Sequence, residues 1–354
     1  MIPLMAAAGA FRAAAAIRNL WWRRIARRAG VPIVSVGNLT VGGNAKTPFT
    51  LYLASRLRER GLEVAIVSRG YGAIASRARA TLVADRGELK IPPDQAGDEP
   101  AMMARRFAGP IAIARRRIDA IEMLTRDRRL DAIVLDDGFQ HTRLGRDLDL
   151  VLVNEQRGFG NRRMLPAGPM REPLGALKRA DAVVIVSFGG GLPSAIRPAE
   201  MKRLMRGRVF RARVRARSLV HSENGQWRET PAVLAGRRVL AVSGLADPSA
   251  FHAMVREIDA DLVGVIEYPD HHAYTSADWQ TISSAAREVD IVVTTEKDLV
   301  KLERFPFPRD SLYALRLEVS LAEQDARALD DLVFSRIGTN ASGPALQEVS
   351  RDAR

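Results

Sequence analysis

Residues 31–48, VPIVSVGNLTVGGNAKTP, constrain the fold more than any other stretch. Ile33 to Val36 is a short apolar run, rich in β-branched residues and flanked by turn formers, which predicts a buried strand. It runs into a loop carrying Gly37, Gly42 and Gly43, followed by Lys46 and Thr47. The next stretch, PFTLYLASRLRERG, spaces Phe49, Leu53, Ala54 and Leu57 as one helical face and stops at Gly61. Strand, glycine-rich loop, Lys-Thr and helix together make a holder for a triphosphate. Backbone N–H groups at the helix N-terminus face the anion, the lysine neutralises it, and the hydroxyl reaches Mg²⁺. On this reading Gly42, Gly43, Asn44, Ala45, Lys46 and Thr47 line the nucleotide. The regular spacing G-x-x-x-x-G-K-[ST] would place glycines at 40 and 45, where the chain has Thr40 and Ala45. Alanine at 45 calls for φ below zero, or for a tolerable strain.

At 354 residues the chain is long enough for a large core and, more readily than one domain, two. It has no cysteine, which rules out disulfides and thiolate metal sites. A net charge of +13 points to an anionic partner. The arginines are spread along the chain without an RNP-like aromatic motif or zinc-finger spacing, so nucleic acid is not the expected partner.

The first thirty residues stand apart: apolar, then aromatic, then basic. Arg12 and Arg18 interrupt the run, which is too short and too charged to span a bilayer, and the order of charges is wrong for a signal peptide. Leu4, Ala8, Phe11 and Ala15 share a helical face, Leu20, Trp21 and Trp22 follow, and Arg23, Arg24, Arg27 and Arg28 close the segment. This suits an amphipathic helix lying on an anionic membrane surface, in preference to one packed on its own domain.

Beyond the loop, strands are predicted at 64–68, 111–114, 133–135, 148–153 and 182–187, alternating with helices, and residues 73–93 read as a loop or hairpin. That alternation predicts a mostly parallel sheet covered on both faces. The expected organisation is an α/β fold. A P-loop NTPase-like three-layer α/β/α domain over 31–207 follows the amphipathic helix of 1–30. A smaller α/β domain covers 208–319, and a two-stranded linker forms from about 208–218 and 312–319. A C-terminal helix over 320–337 packs back, and 338–354 is a disordered tail.

Asp136-Asp137-Gly138-Phe139-Gln140-His141 follows the run IVL. Carboxylates at the end of a strand beside the phosphate-loop strand are where Mg²⁺ or its water is held, by Asp136 and Asp137 with Thr47. Asp98 and Glu99 open a helix, where acids serve as caps or, near a transferred phosphate, as proton acceptors; spacing does not choose. His271 and His272, in YPDHHAYT, are structural histidines or, with Asp270, part of a metal site.

The motifs GNLTVGGNAKTP, SRGYG, GDEP, DDGFQH, LPAGPMREP, PDHHAYT and TTEKD, in this order, resemble the tetraacyldisaccharide 4′-kinase (lipid A 4′-kinase) family over roughly residues 10–330. The resemblance implies a peripheral kinase at the cytoplasmic face of the bacterial inner membrane. It would transfer the γ-phosphate of ATP, with Mg²⁺, to the 4′-hydroxyl of a tetraacyldisaccharide 1-phosphate in lipid A synthesis; separately from the resemblance, a monomer is expected. Lys46 and Thr47 would then hold the phosphates and Mg²⁺, with Gln140 and His141 beside Asp136 and Asp137. Asp98 resembles the catalytic base, His271 its partner from the second domain, and Arg171 an arginine of the active site. Arg117 would contact phosphate, and Glu296 to Asp298 belong to a further family motif. The departure is Ala45, where the family pattern GGxGKTP has glycine. Two rivals share parts of this pattern: a membrane-associated switch or partitioning ATPase, and a scaffold with a degenerate nucleotide loop.

Overall fold

Runs of β-branched residues build one fourteen-stranded sheet. The computed structural model describes residues 26–338 apart from 78, 190–193 and 233, together with 4, 7–9, 11–13, 17 and 21. In the first half the strands are β1 (Ile33–Asn38), β2 (Val64–Ser68), β3 (Thr81–Asp85), β4 (Glu88–Leu89), β5 (Ile111–Ile113), β6 (Ala132–Asp136), β7 (Leu148–Asn154) and β8 (Ala182–Phe188). β8, β7, β1, β6, β2 and β5 lie side by side, all parallel, and β3 and β4 extend the edge antiparallel. Every residue of β1, β2, β6 and β7 is buried, the signature of a parallel sheet covered on both faces. Helix Lys46–Glu59 packs Phe49, Leu53 and Leu57 with Val34, Ile66 and Val134 on one face. Helix Arg117–Arg126 packs Ile118, Ile121 and Leu124 with Ile33, Ala65 and Ile133 on the other.

The second half contributes β9 (Arg208–Glu223), β10 (Gln226–Pro231), β11 (Arg238–Gly244), β12 (Asp261–Tyr268), β13 (Ile291–Thr295) and β14 (Leu312–Leu321). β12, β11, β13 and β14 are parallel to one another. β9 joins the halves: Arg208–Val214 runs parallel to β8, and Ala212–Val220 runs antiparallel to β14. This register decides the architecture. The strands of the second half point opposite to those of the first and are displaced along β9, so both sets of carboxyl ends face one cleft. Parallel sheets bind their ligands at that edge.

Several expectations change. The alternation in 208–216 reads as an exposed strand, but Phe210, Ala212 and Val214 are buried, sharing a core with Leu329, Val333 and Phe334 of helix Glu323–Ile337. The loop or hairpin expected over 73–93 is present, as a short 3₁₀ turn at Ala75–Arg77 followed by the β3–β4 hairpin. The helix expected to fill 1–30 stops short of its end. Arg27 lies in an extended bridge to Leu144 and pairs with Glu122, so the basic cluster is not one helical face. Leu4, Phe11, Ile17 and Trp21 are helical and exposed, whereas Ala8 is buried against Phe139, Leu177 and their neighbours. Ala15, Leu20, Trp22, Arg23, Arg24 and the tail from 339 lie outside the described residues.

Candidate active site

The β1 loop wraps over the start of helix Lys46–Glu59. Ala45, the residue before that helix, sits at φ 54, ψ 30, in the left-handed region. Of the two alternatives for alanine here, a negative φ or a tolerable strain, the structure has the second: the loop keeps a glycine-like conformation and alanine bears the strain, about 1 kcal/mol. Gly42, at φ 102, is the second such position. The Asn44 side chain braces the loop, donating to the Thr40 hydroxyl and Gly42 carbonyl and accepting from the Asn154 N–H at the end of β7. Asn154 in turn donates to the Gly43 carbonyl, so Asn44 serves the loop from inside. Asn154 carries little signal in the sequence, only a polar residue closing the run VLV.

Beside the loop, β6 ends at Asp136, paired with Val36 of β1. Thr50 donates to Asp136 at 3.1 Å and Thr47 at 3.4 Å. Burial, with Glu99 and Asp137 close by, pushes the Asp136 carboxyl up to about 7 against the pull of Lys46. Asp137 turns out of the strand at φ 51. Its carboxylate receives both Arg171 amino groups, at 2.9 and 2.8 Å, and lies 3.9 Å from the Lys46 ammonium. Burial would raise it, but Arg171 and Lys46 hold it well below the usual carboxylate range. Gly138 is required by space, since a Cβ there would stand 2.7 Å from the Ser35 hydroxyl. Gln140 donates to the Asn38 carbonyl at 2.8 Å, tying the turn to β1. His141 is pulled down to about 3 by burial and by Arg117, Arg146 and other arginines, and so stays neutral. Arg117 is buried, lowered to about 10 by that burial, and directed at the Asp137 carbonyl at 3.4 Å.

The structure brings Asp98 and His271, 173 positions apart, into contact across the cleft. Asp98 opens helix Asp98–Ala104, and its Oδ2 lies 3.0 Å from His271 Nδ1 and 3.4 Å from Lys301 Nζ. Burial would raise the Asp98 carboxyl, but the His271 hydrogen bond and charge, with Lys301 and Lys297, hold it at about 2. The same bond raises His271 above its ordinary value against partial burial. His271 follows β12 in a left-handed conformation, φ 60, its ring 5.1 Å from that of Tyr71 in the SRGYG turn. Lys297 pairs with Asp270 at 2.6 Å. His272 turns away to Asp278 at 3.0 Å and stacks on Tyr268, so the Asp-His-His metal reading fails. Among the described residues no three His, Asp or Glu side chains form a metal cluster of their own. Glu99 is raised by burial and by Asp98 against the pull of His271, Lys297 and Lys46. Lys301 carries no motif signal in the sequence. Two surface hollows, one against Phe305 and Phe307 and one against Tyr313 and Arg237, lie apart from this cluster and hold none of its residues.

The family model for tetraacyldisaccharide-1-P 4′-kinase matches residues 1–336. The chain belongs to the tetraacyldisaccharide 4′-kinase family. A tetraacyldisaccharide 4′-kinase of Anaeromyxobacter dehalogenans is 42% identical over 310 residues, covering 85% of this chain and 81% of that protein. One from Pseudomonas putida is 39% identical over 279 residues, covering 78% and 76%. The crystal structure of LpxK from Aquifex aeolicus in complex with ATP matches with a TM-score of 0.71 and 28% identity, over 93% of this chain and 97% of that one. Membership makes the chain a phosphotransferase, and neither the partitioning ATPase nor the degenerate scaffold is favoured.

Proposed function

We propose that this protein phosphorylates the 4′-hydroxyl of a tetraacyldisaccharide 1-phosphate, using ATP bound at the β1 loop. The observation that carries the reading is the meeting of Asp98 and His271 across the cleft, at the carboxyl-end edge where Lys46 and Asp137 also pair. Lys46 and the N–H groups opening helix Lys46–Glu59 face the β- and γ-phosphates. The residues present fit Mg²⁺: Thr47, Asp136 and Asp137 are oxygen donors, and Asp136, buried with two threonine hydroxyls as partners, carries a charge that burial disfavours. Bound there with the nucleotide, the ion would supply positive charge to offset that of the phosphates during transfer. Arg171 orients Asp137 through its paired hydrogen bonds.

Asp98 accepts the hydroxyl proton. Its carboxylate is held ionised by His271 and Lys301, which makes it a weak base but a fixed acceptor. That suits phosphoryl transfer, whose loose transition state asks for an oriented hydroxyl before a deprotonated one. The proton passes to Asp98 as the new O–P bond forms and the bond to ADP breaks. With His271 on the second half of the sheet, closing the cleft both completes the pair and excludes water.

Among the described residues no helix is long and apolar enough to cross a membrane. Exposed Leu4, Phe11, Ile17 and Trp21 support peripheral attachment at the inner membrane, where the acyl chains of the substrate sit. The test is transfer of label from γ-³²P-ATP to the tetraacyl 1-phosphate precursor in detergent micelles. Label in the 4′-position supports the reading; label released only as inorganic phosphate rejects it.

A further inference from the structure

Helix Asp98–Ala104 packs on β3, β4 and β5 of the first half and also lies along helix Glu296–Leu302 of the second. At its N-terminal end Asp98 meets His271 and Lys301, and Lys301 is steadied by Asp298 at 3.1 Å. At its other end Arg106 donates to Glu296 at 2.9 Å and to the Leu317 carbonyl at 2.8 Å. The second Glu296 oxygen accepts from Arg316 at 3.0 Å, and the Glu296 side chain is only 6% exposed. Arg105, next to it, donates to the Gly225 carbonyl at 2.7 Å and lies 3.6 Å from Glu303.

A buried carboxylate with both oxygens taken by arginines adds little net stability, because desolvation offsets the attraction. Its use is to fix one arrangement against its neighbours, since a shifted register leaves a charge buried and unpaired. The helix has apolar anchorage through Ala101 and Met103 in a core shared with Phe49 and Ile113 of the first half. Arg106 and Glu296 add a directional, charged tie to the second.

We propose that Arg106 and Glu296 are positioning residues for Asp98. Holding one end of the helix, they keep the carboxylate about 12 Å away at the other end in register with His271. The acid, carried by the first half, is thereby tied to the second half at both ends of its helix. The inference rests on the reading of Asp98 as proton acceptor.

The test uses the full chain with Arg106→Met, Arg106→Lys, Glu296→Gln and Asp98→Asn, reading kcat, the KM for ATP and the titration of His271 by NMR. Arg106→Met should lower kcat about 100-fold, as expected for an acceptor displaced by an ångström, and leave the KM for ATP largely unchanged. Because Asp98 holds His271 up while Lys297 opposes it, the His271 midpoint should fall when Asp98 slips. Arg106→Lys should restore part of both. If Arg106→Met fails to fold, Glu296→Gln, which keeps acceptor and shape but loses the charge, should show the same two changes at smaller amplitude. A wild-type kcat or an unmoved His271 midpoint in the folded variants, with Asp98→Asn inactive, overturns the positioning role alone. A fully active Asp98→Asn removes the proton-acceptor reading beneath it.

Discussion

The two halves of the sheet bring the same feature to the cleft, the carboxyl ends of parallel strands, but equip it differently. In the first half the site is chiefly backbone. Ala45, Gly42 and Asp137 all sit at positive φ, and the loop is braced from inside by Asn44 and Asn154. In the second half it is chiefly side-chain charge. His271, Lys297 and Lys301 are each paired with a carboxylate, and two of those pairs reach Asp98 of the first half. The difference teaches a division of labour. On the proposed reading, phosphates are met by fixed dipoles that need no rearrangement, and the acceptor hydroxyl by a pair that is complete only when the halves are together.

The largest expected effect is on the backbone side. Lys46→Ala removes the one positive side chain that opens the phosphate-binding helix, so turnover should fall ~100- to 1,000-fold. The melting temperature should hardly move, because Lys46 is only partly buried and its partner Asp137 keeps the closer pair with Arg171. Turnover near wild type would break the comparison at its first term.

A smaller effect tests the strain itself. Ala45→Gly relieves a left-handed alanine and should stabilise the protein by up to about 1 kcal/mol, read by chemical denaturation. A loss of stability would mean that the loop does not hold that conformation.

The smallest effect concerns the charge side and carries a sign. His271 is raised in the fold, so its contribution is fully present below its ordinary value of 6.5 and is lost as pH rises through the raised one. Asp98 is lowered, so its contribution is present above 3.8 and is lost as pH falls through about 2. The stability gap between wild type and His271→Gln should therefore be widest between about 4 and 6.5 and shrink on the alkaline side. A gap that widens above pH 8 would contradict the ion pair.

How far the sequence discloses the molecule follows the same division. The phosphate loop and the Asp-Asp corner are contiguous, and short apolar runs with glycine punctuation found β1, β2, β6 and β7 within a residue or two. The conformation of Ala45 was not legible, because a one-residue φ leaves no periodic trace. Nor was the end of the N-terminal helix, where a bridge from Arg27 to Leu144 interrupts a basic run that composition alone would continue. The Asp98–His271 pairing came from the family pattern; nothing in local spacing links positions 173 apart. Lys301 and Arg106 had no signal at all, since each acts through a partner that only the packing of two helices supplies.

The most direct test of the shared site is a double-mutant cycle on Asp98→Ala and His271→Ala, measured as kcat on the tetraacyl precursor with ATP binding followed separately. Groups that act as a unit are non-additive, so each single variant should lower kcat strongly, and the double variant should be little worse than the poorer single one. ATP binding should survive in all three. If Asp98 were only a helix cap, its replacement would cost about 1 kcal/mol of stability and little activity. A double variant whose loss equals the sum of the single losses in free energy would contradict a paired site across the cleft.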